Sequence, residues 1–446
     1  MTAALRHTLL SLRDLAATAG PFILLAAALL AVAYLVMQPN PPRRVMLATG
    51  VDQGAYAEFG KRYAQRLKAH GITVELRATE GAADNLALLR DAASGIDLGF
   101  VQGGAGDAAS AGSQSRDDEG LVSLGSMFHE PVWLFYREDA AQRRLGSPEL
   151  IALTQLAGWR LNIGAPGSGV APLVQQLLAA NQIDLASIDV TRHATTPAVV
   201  ELLEGRLDAL VLVSAPESLM VQMLLRTPGV RLFDFVHAQA YARRFAFMTP
   251  VTLPRGVVDL AHDQPPRDVH LVAPTAALVA RESLHPALVQ LFVQTARDVH
   301  GQAGWFQSRG EFPNLHHAEY PIAAEAERIH RDGVPWLQRY LPFWMANLAD
   351  RMWLAVLAIV AVLLPLSRIV PPLYEFRVRS RVFRWYGQLR AVEQAAGTRP
   401  ADELLGELDA IEQRVESVSV PLSYADELYA LRAHIQWVRR RLRGVA

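Results

Sequence analysis

Residues 45–102 read VMLATGVDQGAYAEFGKRYAQRLKAHGITVELRATEGAADNLALLRDAASGIDLGFVQ. The apolar run Val45–Ala48 predicts a strand that breaks at Thr49-Gly50, and Gly54-Ala55-Tyr56 opens an amphipathic helix. A second strand is expected over Ile72–Ala78, ending in Thr79-Glu80-Gly81. A second helix starts near Ala83, and a third strand ends at Val101-Gln102. Two βα units in series place polar or glycine residues wherever a strand meets a helix. In open α/β sheets ligands bind beyond the carboxyl ends of the strands, and free N–H groups at helix starts favour an anion there. The stretch therefore points to a small-molecule site, with a carboxylate-bearing ligand expected.

The order and spacing of these motifs resemble the TAXI family, the solute-binding subunits of tripartite ATP-independent periplasmic (TRAP) transporters. The matching residues are Thr49-Gly50-x-x-x-Gly54-x-Tyr56, Ala78-Thr79-x-Gly81-x-x-x-Asn85-Leu86 and Asp97-Leu98-Gly99-Phe100-Val101-Gln102. A further match is the loop Gly164-Ala165-Pro166-Gly167-Ser168-Gly169. The resemblance spans roughly Val45 to His300. It implies a two-lobed type II periplasmic-binding-protein (Venus-flytrap) α/β fold that closes on small acids such as glutamate or oxo acids. It also implies a TRAP-type membrane permease as partner. Two departures stand out: Val170 replaces the family's threonine after the glycine loop, and the chain adds apolar segments and a tail.

The 446 residues allow two or three domains, and a formal net charge of -1 gives no general attraction to nucleic acid. With no cysteine there are no disulfides, thiolate nucleophiles or cysteine zinc sites. Lys61 and Lys68 are the only lysines; the remaining basic residues are arginine.

Gly20–Gln38 is apolar throughout and long enough to cross a bilayer, which takes about 20 residues. We expect an uncleaved anchor; the alternative is a cleaved signal peptide, because Ala31-Val32-Ala33 has the small-x-small pattern. Trp353–Val370 is a second apolar segment, flanked by Trp344 and Tyr374, with a buried core helix as the alternative. Arg368, Arg377, Arg379, Arg381, Arg384 and Arg390 follow it, a positive-inside signal that places both termini in the cytoplasm of a bacterial inner membrane. Arg43 and Arg44 lie on the wrong side for that rule. The expected organisation is a cytoplasmic N-terminus (1–19), a membrane helix (20–38), a first lobe (43–136) and a second lobe (137–244). A return to the first lobe (245–320), a membrane-proximal segment (321–350), a second membrane helix (352–370) and a cytoplasmic basic, helical tail (371–446) follow. In the tail Leu404, Leu405, Leu408, Ile411 and Val415 form one apolar stripe, and Leu428, Leu431, Ile435 and Val438 another. A helical hairpin split by Pro421 is expected, with self-association through it as a further expectation. The Gly103–Gly120 stretch reads as surface loop.

The candidate ligand shell is Gly50, Gly54, Ala55 and Tyr56 at the first strand end, then Thr79, Gly81 and Asn85 at the second, and Gln102 at the third. From the second lobe come Gly167, Ser168, Gly169, Val170 and Ser214. Each has a plainer role open to it: the glycines as tight turns, Tyr56 and Asn85 as packing and helix support, Ser168 as an N-cap. Arg77, Arg160, Arg192, Arg243 and Arg244 are candidate carboxylate partners, and Glu130-Pro131 resembles a family position near the hinge. His129-Glu130 and His316-His317-x-Glu319 lack metal-ligand spacing, and no Gly-x-Ser-x-Gly elbow is present. The reading is a membrane-anchored solute receptor that needs no cofactor or metal and is not an enzyme. Its partners would be a small organic acid or amino acid, the permease and the lipid bilayer. A ligand sensor or scaffold that passes lobe closure to the cytoplasmic tail is the alternative.

Overall fold

The computed structural model describes residues 3–38, 40–106, 120–316, 318–416 and 425–443. Most of the expected surface loop (107–119), His317 and Pro421 lie outside the described residues. The chain divides into two units, residues 40–346 and the two terminal portions together.

In the larger unit, strands β1 (Arg44–Ala48), β2 (Thr73–Arg77) and β3 (Leu98–Gln102) are joined by helices α2 (Ala55–Lys68) and α3 (Ala82–Arg90); α1 (Ala3–Met37) precedes them. β1 pairs in parallel with both β2 and β3, as two consecutive βα crossovers require. Helix α2 turns Tyr56, Phe59, Tyr63 and Leu67 inward, a stripe at helical spacing that covers the sheet. Strands β4 (Leu121–His129) and β5 (Val132–Arg137) follow, then α4 (Glu138–Leu145). The second sheet continues with β6 (Arg160–Asn162), α5 (Val170–Ala180), β7 (Asp189–Thr191), α6 (Thr195–Leu203) and β8 (Ala209–Val213). Helix α7 (Leu219–Leu225), β9 (Val230–Leu232) and α8 (Ala238–Arg244) complete that region. Strands β10 (Met248–Leu253) and β11 (Val269–Arg281) lead to α9 (Pro286–His300) and α10 (Ala324–Asp332). One sheet has the order β10-β11-β3-β1-β2 with β4 also on β11; the other has the order β7-β6-β8-β5-β9.

Both sheets are mixed, and each has its own buried core. Leu47, Tyr63, Phe100, Leu278 and Phe292 belong to the first. Trp133, Trp159, Leu161, Leu210 and Phe235 belong to the second. The structure corrects the two expected lobe boundaries. The outward crossing falls at Glu130-Pro131 rather than after Tyr136, because β5 pairs only with β8 and β9 of the second sheet. The return is not at residue 245. Met248, Val251, Leu271 and Ala273 pack in the second core, while Ala276, Leu278 and Val279 pack in the first. Strand β11 is thus shared, and the change of core comes at Pro274-Thr275. The two crossings meet where Glu130 N donates to Pro274 O at 2.9 Å.

The expected helix at Glu325–Arg331 is α10, which buries Ala326 and Ile329. Trp336, Tyr340 and Trp344 are exposed, whereas Phe343 packs against the first core and sits edge-on to His70.

In the other unit, α1 and α11 (Phe343–Ser367) contain runs long and apolar enough to cross a membrane, with mean hydropathy 2.3 and 2.4. Leu24, Leu35, Leu354 and Leu364 are exposed. Helices α12 (Val370–Ala395), α13 (Ala401–Glu416) and α14 (Ala425–Leu442) follow. The tail core takes Leu404, Leu408, Leu431 and Ile435 from the expected stripes, and also Val382, Leu389 and Val392 from α12. It is a three-helix core, not a hairpin alone: the basic run contributes its own apolar edge.

Candidate functional site

One cavity of the larger unit is lined from both sheets: by Gly50, Gly54, Ala55, Tyr56, Gly81, Gln102 and Glu130 on one side, and by Asn162, Ser168, Val170, Thr195, Val213 and Ser214 on the other. Three helices start at it. The N-caps of α2, α3 and α5 are Gly54, Gly81 and Gly169, cap residues with no side chain to satisfy the helix start; at α5 the preceding Ser168 takes the first N–H. Their first N–H groups carry the positive end of the helix dipole, worth roughly half an elementary charge each. Glycine at these caps lets backbone approach backbone. A Cβ on Gly81, whose φ is +141°, would lie 2.9 Å from Ser168 Cα in the facing lobe.

Gln102 supplies a second, independent feature. It is 1% exposed, lines the cavity, and its Nε2 has no hydrogen-bond partner among the described residues. A buried amide left unpaired costs about 1–3 kcal/mol, so it marks a place built for an acceptor.

Other predicted residues turn out to hold the frame. Asn85 is fully buried; its Nδ2 donates to Phe100 O at 2.8 Å and its Oδ1 lies 2.7 Å from Thr79 Oγ1. Thr79 Oγ1 is also 2.7 Å from Thr49 O and accepts from Gly81 N. These bonds tie the ends of β1 and β2 to α3, so neither Thr79 nor Asn85 lines the cavity. Gly167 and Gly169 also stay out of the lining and serve contact: a Cβ on Gly167 would meet Asp84 Oδ1, and one on Gly169 would lie 3.4 Å from Ala82 Cβ. Ser168 Oγ donates to Ala165 O at 2.7 Å and accepts from Val170 N at 3.3 Å, the capping role.

None of the five candidate arginines lines the cavity. Arg160 and Arg144 instead hold Asp208, which is 1% exposed, at 2.7 and 3.0 Å. Burial alone would push that carboxyl up; the hydrogen bonds from Arg160 and the charge of Arg144 more than reverse it and leave it below the ordinary carboxylate range. Arg243 and Arg244 end α8 and are exposed, as are Arg77 and Arg192.

Among the lining residues that sequence reasoning left out of the shell is Glu130. It is 2% exposed, lines the cavity, and accepts a hydrogen bond from Tyr56 Oη at 2.6 Å. Burial pushes its carboxyl up to about 8, and the bond from Tyr56 lowers it only in part. Tyr56 is raised well above its usual value, by burial first and then by Glu130. Its ring also stacks on Phe100 at 5.2 Å. Asn162 was missed too, yet its amide is spent on His193 and Thr191. Among the described residues no group of three histidine or acidic side chains is placed to hold a metal.

The NMT1-like family profile matches residues 47–299, more than half of the chain. The chain belongs to the NMT1-like family. Its fold is the mixed-sheet α/β architecture of periplasmic-binding-protein-like proteins. No curated protein matches the chain. Solved structures similar to it include MatC from Rhodopseudomonas palustris with bound malate. That match has 16% identity and TM-score 0.38, covering 71% of this chain and 99% of that one. Another is the alkanesulfonate-binding protein SsuA from Xanthomonas axonopodis pv. citri bound to MOPS, with 14% identity and TM-score 0.37, covering 58% and 74%. The aliphatic sulphonate binding protein SsuA from Escherichia coli matches with 14% identity and TM-score 0.34, covering 72% and 83%.

Proposed function

We propose that this NMT1-like protein is a membrane-anchored solute receptor. It binds a small organic acid or amino acid between the two sheets and presents the closed form to a TRAP-type permease in a bacterial inner membrane. The observation that carries the reading is the convergence of three glycine-capped helix starts and the unpartnered Gln102 amide on one cavity lined by both lobes. Such a cavity offers N–H donors to a ligand anion. The ligand's contacts to both sides supply the differential affinity that favours closure. The TAXI-like motifs at Thr49–Tyr56, Ala78–Leu86 and Asp97–Gln102 support the transporter class, the two exposed apolar helices support anchoring, and the arginines that follow the second support cytoplasmic termini.

The test is a thermal-shift screen of the full chain in detergent against carboxylic acids and amino acids. A ligand at 100 times its Kd stabilises the folded receptor by about 2.7 kcal/mol. The expected result is an acid that raises Tm in the wild type and not in Tyr56→Ala. No shift with any compound, on folded protein, overturns the reading. A second reading, a sensor whose tail receives lobe closure, has one specific support: the three-helix core of the tail. A ligand-dependent change in the tail's oligomeric state, without transport, would favour it.

A further inference from the structure

The charge inventory of the cavity narrows its ligand, on the premise that the cavity is the solute site. Among the described residues, none that lines the cavity is Lys, Arg or His. Lys61 and Arg62 line an adjoining hollow beside the start of α2, which shares Gln53, Gly54, Ala55 and Ser218 with the cavity. There Lys61 pairs with Glu58 at 2.6 Å and Arg62 lies over the Phe59 ring. Two acids face the cavity: Glu80, exposed at its rim, and Glu130, buried at the lobe crossing.

Among the described residues, the groups around Glu130 offer it no positive charge. From α2 comes the Tyr56 hydroxyl, which donates to Oε2 at 2.6 Å. From β11 comes only the carbonyl of Pro274. The second lobe adds Asn162, Ser168 and Ser218, all uncharged. The adjoining His129 lies 3.6 Å from Glu311. His300, stacked on Phe128, is held neutral by burial, with its imidazole pushed down to about 3. Oε1 of Glu130 makes no hydrogen bond within the described residues. A buried carboxylate with one hydrogen bond and no cation is less costly in its neutral form.

We infer that Glu130 carries a proton at neutral pH and offers Oε1–H to the ligand, so that the cavity selects solutes of a single negative charge and binds each together with that proton. The helix starts, Gln102 Nε2 and Glu130 then act as one set of donors. The three helix starts together bring about one and a half elementary charges, enough for one carboxylate and short of the two of a dicarboxylate. The expected carboxyl value of about 8 agrees with this geometry. Raising the pH through 8 ionises Glu130, turns a donor into a repulsive charge, and weakens the anion.

The experiment uses the full chain in detergent and has two arms. Infrared difference spectra between pH 6 and pH 10 are expected to show a carboxylic-acid C=O band that persists at pH 7, disappears above pH 8, and is missing in Glu130→Gln. Isothermal titration with pyruvate and isovalerate as monoanions, and with succinate and malate as dianions, is the second arm. A monoanion is expected to bind about tenfold more weakly at pH 9 than at pH 7, following the protonated fraction of a group that titrates near 8. In Glu130→Gln that ratio is expected to fall to about one. Tyr56→Phe, which removes the one bond that favours the ionised form, moves the loss to higher pH and serves if Glu130→Gln does not fold. A missing band at pH 7 overturns the protonated carboxyl, whatever binds. A band together with dianion preference, or with amines whose affinity rises above pH 8, overturns the charge selection. A band with no acid bound at all overturns the small-acid reading of the cavity and the selection with it.

Discussion

Closure of the lobes can be tested at a single backbone contact. Gly81 begins α3 with φ +141° and ψ -152°, and a Cβ there would lie 2.9 Å from Ser168 Cα and 3.1 Å from Ser168 O. Both atoms are backbone of the facing lobe, so no rotamer change relieves the contact. Gly81→Ala therefore has two separable costs. The backbone strain, about 1–3 kcal/mol, is present whether the lobes are apart or together, so it lowers stability alone. The overlap with Ser168 exists only when the lobes meet. It costs about 1–3 kcal/mol, which lowers the closed population and weakens ligand roughly 5- to 150-fold. The control is Gly71→Ala, where φ is +76° and nothing lies within 4 Å of the added Cβ. That variant should lose stability of the same order with affinity unchanged. The assay is isothermal titration with the acid found by the thermal-shift screen, alongside urea unfolding of all three proteins. Gly81→Ala that is destabilised yet binds within twofold of wild type would refute the argument, because the contact would then not belong to the binding-competent form.

The remaining predictions concern the same lobes. Ala82→Cys with Gly169→Cys places two Cβ atoms about 3.4 Å apart across the cleft, close to the disulfide range, in a chain with no other cysteine. The oxidised protein should exclude added ligand and recover binding on reduction; wild-type binding when oxidised would sink the idea. Asn85→Ala leaves the Phe100 carbonyl and the Thr79 hydroxyl short of partners, so it should cost about 1–3 kcal/mol of stability in chemical denaturation. Its Kd should change far less than that of Tyr56→Ala. Asp208→Asn removes the charge that holds two arginines, both over a third exposed, and should cost about 1–3 kcal/mol at pH 7. Because the folded Asp208 carboxyl lies below its unfolded value, the wild type keeps this increment above the unfolded pKa of about 3.9 and loses it as pH falls further. Acid titrations of the two proteins should converge at low pH, and curves that stay parallel would contradict the assignment.

The βα units were legible because glycine and polar residues punctuate them. Thr49-Gly50 and Glu80-Gly81 end strands, Gly54 and Gly81 cap helices, and both ends of β1 and β2, the starts of α2 and α3 and the end of β3 fall within a residue or so of the pattern. The lobe boundaries were not legible, for a physical reason. Strand β11 runs unbroken from Val269 to Arg281 and is apolar on both sides of Pro274, yet it serves two cores. Hydrophobic periodicity reports that a strand is buried; it carries no label for the core that buries it. The third helix of the tail core was hidden in a similar way. Val382, Leu389 and Val392 sit among arginines and aromatics, and seven- and three-residue spacings are easily lost in a run whose charges suggest only topology.

At the site, sequence pointed to the backbone and not to the side chain that decides charge. Gly54, Ala55, Tyr56, Gly81, Gln102, Ser168, Val170 and Ser214 line the cavity because strand ends and helix starts in this topology must converge there. The expected arginine partner came from a different argument, that a carboxylate wants a guanidinium. The structure gives Arg160 to Asp208 instead. Glu130 was visible in the sequence only as a carboxylate before a proline, at a crossing between lobes. A lone Glu in that position has no spacing partner: Tyr56, which donates to it, is on α2, and Pro274, which accepts from its backbone, is on β11. Three distant segments have to fold together before the carboxyl loses water and keeps its proton. In the receptor proposed here, the preference for a monoanion over a dicarboxylate rests on burial at the crossing, and no local motif encodes it.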